Sequence, residues 1–540
     1  MDVKILIQNT INDTLNLIDP DILYDIRLTK PSKDYGDLST NAALMYAKKL
    51  NMSVDSLANT IIQALQSLTI FDSITFVNGF INFKFNHNII YDQFKNVFQN
   101  KNFGDLPNNH QKVLVEYVSG NPTGLLHIGH ARGAIYGSSL IKLLSIAGYT
   151  VHSEYYVNDR GKQIERLALS VYLRYLQQNG IKTDYPDDCY QNDMIIEFAK
   201  YLYKVHKDEF LKYSKQDALI VFGEKAKHYF LNEIKKDLAS LGIQIDNYFY
   251  ESSLYPIKII DTQYKLKNTN STYENKKALY LQSTKGNDDK DRVLIRSNNE
   301  PTYLMSDIAY HSDKFKRNYN RYINIWGGDH QGYIARLKYA LDILGYDISK
   351  LDIQFLQMVS LKDGNNRIKI SKRNKSYNLR DLVNVIGSDV TRYFFLMRSI
   401  NSQLEFDVDL AIEKSDQNPV YYCQYAYARI CSVIKKSKIN IDELSNISFK
   451  ELTNAIEIEL MNKILDFPNI IKRAADELAV NLIVNYTHEL ASLFHKYYHH
   501  ITILTDNIQL QIERLALLVM IQRVLKKLFN IIGIQALEVM

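Results

Sequence analysis

Apolar and polar positions divide the chain into three stretches with different patterns. Residues 1–105 combine helical apolar spacing, over 3–18 and 38–52, with a strand-like alternation over 76–85 that is typical of a hairpin. Beyond residue 112, short apolar runs alternate with longer helical segments, and after residue 411 the pattern is helical to the end of the sequence. These patterns predict an α+β module, an α/β core and an all-helical C-terminal domain.

The middle stretch has the pattern of a parallel sheet flanked by helices. Short apolar runs of this kind are typical of strands buried on both faces, and a helix is expected over 127–147. Residues 164–241 are mostly helical and polar, which indicates an insertion. The predicted strands cover residues 113–118, 151–157, 322–326 and 353–361. This alternation predicts a Rossmann-like, doubly wound parallel sheet interrupted by a long connection.

The same patterns place the domain boundaries. We expect a module over residues 1–105, an α/β domain over 106–410 and a helical domain over 411–540. The helical insertion is expected at about 164–275. A chain of 540 residues is too long for one compact core, so several domains are required in any case.

Composition and charge exclude some classes of protein. The formal charge of +5 permits an acidic partner such as RNA without demanding one. Cys189, Cys423 and Cys431 lack CxxC spacing, which argues against a disulfide framework and against a structural zinc site. No apolar run approaches the roughly 20 residues that span a membrane, and residues 1–14 lack a signal-peptide core. A cytoplasmic protein without a membrane span is expected.

The first candidate site is a turn between a predicted strand and a predicted helix, with the sequence His127, Ile128, Gly129, His130. Helix N-termini beyond the carboxyl ends of parallel strands bind phosphates in open α/β sheets. Both histidines can donate hydrogen bonds to phosphate or ribose oxygens, and Gly129 leaves room for a flat base. The turn therefore indicates ATP binding, although two surface histidines at a helix start would look the same.

The second candidate site is the basic segment that follows the last predicted strand, with Lys369, Ser371 and Lys372. Two lysines beside a small hydroxyl residue can form a cationic clamp for a leaving pyrophosphate. A solvated basic loop is the alternative. The chain has no Walker A sequence, so another arrangement must hold the phosphates.

The two motifs, in this order on one interrupted sheet, resemble the HIGH and KMSKS motifs of class I aminoacyl-tRNA synthetases. Residues 115–124, 156–163, 301–310 and 328–333 narrow the resemblance to the arginyl-tRNA synthetases, and it covers nearly the whole chain. The resemblance implies an N-terminal module that contacts the tRNA and a helical anticodon-binding domain at the C-terminus. It also implies a KMSKS loop at residues 367–376.

The resemblance implies an arginine–tRNA ligase with a defined amino-acid pocket. Asp307 and Glu116 are the carboxylates expected to bind the guanidinium group, with the Tyr303 hydroxyl as a further partner. Asn121 and Gln331 match positions that hold the α-amino end of the substrate. From the sequence alone Asp307 could equally be a helix N-cap, and only the resemblance favours the pocket.

The implied reaction joins L-arginine to ATP, releases pyrophosphate and transfers the arginyl group to the 3′-terminal ribose of tRNA-Arg. His127, Lys369 and Lys372 would neutralise charge on the phosphates, while His130 and Gly129 would hold the adenosine. ATP would enter with Mg²⁺, and a monomer is expected. In this family tRNA is generally needed even for amino-acid activation.

Two other readings stay open at this stage. A class I synthetase for another amino acid would have an apolar or differently charged pocket, in contrast to Asp307 and Glu116. A non-catalytic RNA-binding relative would be expected to lose the histidines or the lysines, and all of them are present.

Overall fold

The computed structural model describes residues 3–31, 35–363, 366–368, 378–439 and 447–540, without the side chains of 329–331, 361, 363 and 366–368. These residues form two compact units. The first unit comprises Met1–Phe103, Ile434–Asp466 and Leu493–Ile521. The second comprises Gly104–Val433, Phe467–Ser492 and Gln522–Met540.

The helices of the described residues are between five and 26 residues long. They are α1 (Val3–Asn16), α2 (Ala42–Tyr46), α3 (Val54–Gln66), α4 (His87–Gln99), α5 (Ile128–Ile146), α6 (Lys162–Gln178), α7 (Asp193–His206), α8 (Lys215–Ser240), α9 (Ile257–Lys267), α10 (Tyr303–Lys316), α11 (Ile334–Ile343), α12 (Leu379–Ile386), α13 (Ser388–Leu396), α14 (Val408–Ile412), α15 (Pro419–Ser437), α16 (Ala455–Leu465), α17 (Phe467–Asp476), α18 (Val480–His500) and α19 (Ile508–Ile532).

The strands are shorter than the helices and form four sheets. They are β1 (Leu38–Thr40), β2 (Phe71–Val77), β3 (Phe80–Phe85), β4 (Lys112–Glu116), β5 (Thr150–Val157), β6 (Asn247–Tyr250), β7 (Thr272–Asn275), β8 (Ala278–Leu281), β9 (Arg292–Ile295), β10 (Arg321–Gly327), β11 (Leu351–Leu356), β12 (Val359–Asp363), β13 (Asn366–Ile368) and β14 (Leu404–Asp407).

In the first unit, helices α1 and α3 pack on the sheet β1-β3-β2. The predicted hairpin over 76–85 is confirmed by the antiparallel pairing of β2 with β3. The helix predicted over 38–52 is wrong, because Leu38–Thr40 pairs with β3 as a strand and only Ala42–Tyr46 is helical. Pairing with a neighbouring strand outweighs the local helical spacing of this segment.

The second unit is built on a five-stranded parallel sheet with the order β11-β10-β4-β5-β6. The chain adds β5 and β6 on one side of β4, and then β10 and β11 on the other. The strand order therefore reverses between β4 and β10, and the crevice beyond the carboxyl ends of these two strands is where such sheets bind ligands. The predicted doubly wound parallel sheet is confirmed.

Two strand predictions in this unit need correction. The single strand predicted over 353–361 is two strands: β11 belongs to the parallel sheet, whereas β12 pairs with β13 and β14 in a separate sheet. The apolar pattern runs through both strands, and periodicity alone does not show where a chain leaves one sheet for another. Strand β6 was not predicted, because its four residues are too short to give a pattern.

The predicted helical character of residues 164–241 is confirmed by α6, α7 and α8, which pack around Tyr175, Phe198 and Phe222. After residue 411 the described parts of the chain contain helices α15 to α19 and no strand, as predicted. None of the helices that the structure describes has the length and apolar character needed to cross a membrane.

Candidate active site

Helix α5 begins at the histidine-containing turn, beyond the carboxyl end of β4. His127 is the N-cap residue, with an extended backbone, and its Nδ1 accepts a hydrogen bond of 3.0 Å from the Gly129 amide. The exposed His127 ring stacks on the His130 ring, with 3.7 Å between the ring centroids. The N-terminus of α5 and an imidazole group thus face the same crevice, where they can bind anionic oxygens.

The two histidines have different electrostatic properties. Burial, with a smaller contribution from His127, lowers the pKa of His130 to about 3, so its ring is neutral near pH 7. Nδ1 of His130 is buried and has no hydrogen-bond partner among the described residues. A neutral imidazole can hydrogen-bond a ribose or a base but does not add positive charge for phosphate.

Gly129 lies directly against the ring of His127 in this turn. A Cβ atom at this position would lie 2.8 Å from Cε1 of His127. A larger residue would displace the His127 ring from its cap position. The glycine therefore lets the His127 ring stay close to the backbone in its cap position.

Two buried arginines hold α5 in place. Arg132, on α5, donates hydrogen bonds to the carbonyl oxygens of Gln357, Ser399 and Ser402 at 2.8–2.9 Å. Arg392, on α13, donates to both hydroxyl groups of Ser138 and Ser139 on α5 and to the carbonyl oxygens of Leu241 and Ile532. Burial lowers the pKa of each guanidinium to about 10, which leaves both charged at neutral pH.

The basic segment with Lys369, Ser371 and Lys372 lies outside the described residues. The residues that follow it are described and are tied to the histidine turn. Asn378 forms an antiparallel bridge with His127, and the Leu379 amide donates to the Leu126 carbonyl oxygen at 2.8 Å.

Glu116 lies at the last position of β4, next to the point where the strand order reverses. It is buried, forms an ion pair with the buried Lys314 and accepts a 3.1 Å hydrogen bond from the Ser119 hydroxyl. Lys314 also donates to Oδ1 of Asn324 at 2.9 Å. The charge of Glu116 is therefore balanced by a residue of the protein, a feature that the sequence did not reveal.

Asp307, in the second turn of α10, has no such cation. Its Oδ2 accepts a 2.6 Å hydrogen bond from the Tyr333 hydroxyl, and no ion pair involves it within the described part of the chain. Burial raises the pKa of Asp307 to about 7, and the charges of Glu116 and Glu251 act in the same direction. A cation placed against this carboxylate would stabilise its ionised form.

Glu251 is a third carboxylate at this site, and sequence reasoning missed it. It is buried in the turn that follows β6, and its Oε2 accepts a 2.8 Å hydrogen bond from the side-chain amide of Asn158 in the amide orientation that its neighbours favour. Burial raises the pKa of Glu251. Its position at the carboxyl end of a parallel strand was the available signal, but β6 itself was not predicted.

The three carboxylates share one neighbour, Tyr156. Burial raises the pKa of Tyr156, and the charges of Glu251, Asp307 and Glu116 raise it further. The tertiary structure therefore brings together acidic groups that come from β4, the turn after β6 and α10. They form an acidic pocket, defined here as Glu116, Glu251 and Asp307 around Tyr156, which suits a planar cation with several donors.

Three further predicted residues lie at the same edge of the sheet. Tyr303, the first residue of α10, is 57% exposed and lies one helical turn before Asp307. Asn121 is exposed, and its Nδ2 donates to Oε1 of Gln163 at 2.7 Å. Gln331 belongs to the turn Gly328–Tyr333 after β10, but its side chain is outside the described set.

The loop between Glu116 and Asn121 contains strained backbone. Val118 has φ of 69° and Ser119 has φ of 43°, both in the left-handed region that β-branched residues in particular avoid. The Ser119 hydroxyl accepts from the Tyr156 amide at 3.0 Å, and the Tyr155 hydroxyl donates to the Gly120 carbonyl oxygen at 2.6 Å. Strained residues that neighbouring groups hold in place are concentrated at functional sites.

Three family models match the chain in succession. They are the arginyl tRNA synthetase N-terminal domain over residues 4–85, the class I (R) tRNA synthetase catalytic domain over 93–392, and the DALR anticodon-binding domain over 423–540. Among curated proteins, arginine–tRNA ligase 1 of Halalkalibacterium halodurans is 41% identical over 94% of this chain and 93% of its own length. The chain belongs to the arginyl-tRNA synthetase family.

Other relatives agree with this assignment. The arginine–tRNA ligase of Anoxybacillus flavithermus is 40% identical over 95% of this chain and 94% of its own length. The Thermus thermophilus arginyl-tRNA synthetase structure has a TM-score of 0.80 at 19% identity, with full coverage of both chains, and shows the common fold. The chain is therefore an arginine–tRNA ligase and a class I aminoacyl-tRNA synthetase, with ATP as a substrate and tRNA and arginine as partners. The fold, family and function predicted from the sequence are confirmed.

Proposed function

We propose that Asp307 and Glu251 bind the guanidinium group of the arginine substrate, with Tyr303 at the entrance of the acidic pocket. The observation that carries this assignment is the absence of an ion pair for Asp307 among the described residues, in a site that also holds Glu251. A guanidinium offers five donors in a fixed plane and can bind two carboxylates at once.

Glu116 has a different part in this proposal. Because Lys314 already balances its charge, Glu116 orients the loop through Ser119 and contributes less to the charge that attracts the substrate. Asn121 and Gln331 hold the α-amino end of arginine. The assignment of Asn121 is supported by the exposed position of this residue in the loop after β4, at the same edge of the sheet as the acidic pocket.

The ATP side of the site is assigned to the turn at the start of α5. His127 and the helix N-terminus face the phosphates, and neutral His130 and Gly129 face the adenosine. Lys369, Ser371 and Lys372 are proposed to contact the leaving pyrophosphate. The residues that follow them support this assignment, because Asn378 forms an antiparallel bridge with His127 and the Leu379 amide donates to the Leu126 carbonyl oxygen. Mg²⁺ would enter with ATP, because this hard cation prefers phosphate oxygens.

The reaction then proceeds in two steps. A carboxylate oxygen of arginine attacks the α-phosphorus of ATP, and the bond to the pyrophosphate oxygen breaks, so that pyrophosphate leaves. The 2′-hydroxyl of the terminal tRNA ribose attacks the carbonyl carbon of the adenylate, the hydroxyl proton is lost and AMP departs. The enzyme contributes position and charge rather than a covalent intermediate.

The boundaries 1–105, 106–410 and 411–540 are retained as the proposed domains, and the three successive family matches support them. One chain carries both the histidine turn and the acidic pocket, which supports a monomeric enzyme. Its tRNA substrate supports a cytoplasmic location.

The replacement Asp307→Asn tests the guanidinium assignment. Removing one partner of a buried charge pair costs about 3–5 kcal/mol, so the arginine KM should rise roughly 100-fold or more. ATP–pyrophosphate exchange in the presence of tRNA-Arg measures this effect, with arginine and lysine as alternative substrates. The ATP KM and the affinity for tRNA should change less than threefold.

The matched control is Asp342→Asn, which removes an exposed carboxylate from α11. This variant should retain the wild-type arginine KM. Wild-type arginine KM in Asp307→Asn, or exchange with lysine but not with arginine in the wild-type enzyme, would exclude the proposed pocket.

A further inference from the structure

A cluster of charged residues connects α8 with the start of α12, away from the acidic pocket. Arg380 donates through Nε to Oδ1 of Asp237 at 2.7 Å and through Nη2 to Oε2 of Glu233 at 2.9 Å. Both carboxylates are buried, and Lys236 pairs with the second oxygen of Glu233 at 2.6 Å. One guanidinium thus spans two carboxylates that are one helical turn apart on α8.

The cluster lies directly beside the histidine turn. The Leu126 amide is close enough to the Asp237 carboxylate to lower its pKa, although burial has the larger effect and raises it. The Leu126 carbonyl oxygen accepts from the Leu379 amide, and His127 pairs with Asn378. Arg380 is the next residue along the chain, so the same short segment is bonded to α5 by its backbone and to α8 by its side chain.

The arrangement joins α8 to a short segment that is also bonded to the start of α5. A buried carboxylate such as Asp237 is costly unless it is paired, and Arg380, the residue that follows Leu379, supplies the pair. The residues that follow the lysine-bearing segment therefore have a defined register relative to His127. Errors in that register would alter the placement of the groups that contact ATP.

We propose that Arg380 is a positioning residue for adenylate formation, acting through Asp237 and Glu233 to hold Asn378 and Leu379 against the Leu126–His127 backbone. The inference rests on the proposed assignment of His127 to the ATP site. It concerns the phosphate side of the reaction and not the acidic pocket, so it predicts a selective change in turnover.

The test uses full-length Arg380→Ala in ATP–pyrophosphate exchange with tRNA-Arg and arginine. The kcat should fall about tenfold or more, because small displacements of reacting groups cost that much in rate, while the arginine KM stays within twofold. Arg380→Lys should restore kcat only in part, since an ammonium group lacks the planar fork that spans both carboxylates. The matched control Arg473→Ala removes an exposed ion pair between Arg473 on α17 and Glu477, which follows the end of that helix, and should leave kcat unchanged.

A double-mutant cycle separates positioning from general stability. In the double variant, the effects of Asp237→Ala and Arg380→Ala on kcat should not multiply, because each substitution removes the same ion pair. The unfolding midpoint, followed by fluorescence of Trp326, the single tryptophan, is measured for every variant. A lower midpoint with unchanged kcat, a parallel rise in arginine KM, or multiplicative losses in kcat would overturn the proposal.

His127→Ala is measured in parallel so that two failures can be told apart. If His127→Ala loses exchange and Arg380→Ala does not, the positioning role is wrong while the ATP-site assignment stands. If His127→Ala retains full exchange, the ATP-site assignment is wrong, and the positioning role is overturned with it.

Discussion

Two regions of the second unit treat buried charge in opposite ways. Arg132 and Arg392 are buried with carbonyl and hydroxyl oxygens as their hydrogen-bond partners, and neither forms an ion pair in the described part of the chain. The acidic pocket, in contrast, collects three carboxylates and supplies Lys314 as the ion-pair partner of only one of them, Glu116. Arg132 and Arg392 are thus satisfied by neutral dipoles, whereas Asp307 has no ion-pair partner among the described residues.

The difference has a physical reason, because a structural arginine stays in place whereas a substrate enters and leaves its site. A permanent structural arginine gains most from several fixed acceptors, because five donors need five partners in a buried place. A substrate must enter and leave, so its site should be unfavourable when empty and favourable when filled. The raised pKa of Asp307, at about 7, shows that the empty pocket is unfavourable for the ionised carboxylate.

The largest effect in this comparison is expected at the structural residue Arg392, on the free energy of unfolding. Arg392→Met would leave the carbonyl oxygens of Leu241 and Ile532 and two serine hydroxyls without this donor, at a cost of about 2–4 kcal/mol in the free energy of unfolding. Denaturant unfolding followed through Trp326 fluorescence measures this loss. The arginine KM of the folded variant should be close to wild type; unchanged stability would show that the neutral acceptors do not matter.

A smaller effect separates two carboxylates of the pocket. Glu251→Gln should raise the arginine KM by about 10- to 100-fold, which corresponds to roughly 1.4–2.7 kcal/mol. Glu116→Gln should raise it less, and should instead lower stability, because Lys314 would lose its buried partner. Steady-state exchange kinetics and unfolding midpoints of both variants distinguish these outcomes. Equal changes in arginine KM would show that the ion pair with Lys314 does not give Glu116 a role different from that of Glu251.

The smallest effect is a pH dependence of arginine binding. On the proposed assignment arginine binds the ionised form of Asp307, whose pKa is about 7 in the empty enzyme, so the arginine KM should rise towards tenfold per pH unit below 7 and level off above it. The stability of the empty enzyme should fall as the pH rises, whereas arginine binding should strengthen. A pKa raised from 3.8 to about 7 means that the folded chain binds the extra proton, so this contribution is present at low pH and is lost as pH rises through 7.

Asp307→Asn is the matched control for this profile, since an amide does not titrate in this range. Its arginine KM should be high and nearly constant between pH 6 and 8. A wild-type KM that stays constant over the same interval would place the pKa of Asp307 elsewhere or remove it from the pocket. The measurement is the arginine KM in tRNA-dependent exchange at constant ionic strength.

Sequence signals are local, so they revealed some residues of the site and not others. The histidine turn was found because four neighbouring residues carry its signal, and it does cap α5. Glu251 was missed because β6 is only four residues long and lies within a stretch that looked helical. Lys314 was missed because the pairing with Glu116 joins residues 198 positions apart, and no local pattern reports such a contact.

By itself, the sequence determined the chemical class of the protein: the order of its motifs and elements indicated a doubly wound sheet, ATP chemistry and arginine as the amino acid. Only the tertiary structure decided the electrostatics of the site. It assigned Lys314 to Glu116, added Glu251 to the pocket and left Asp307 without an ion pair among the described residues. Motifs are local in the chain, whereas burial and charge pairing depend on distances between residues that are far apart in sequence.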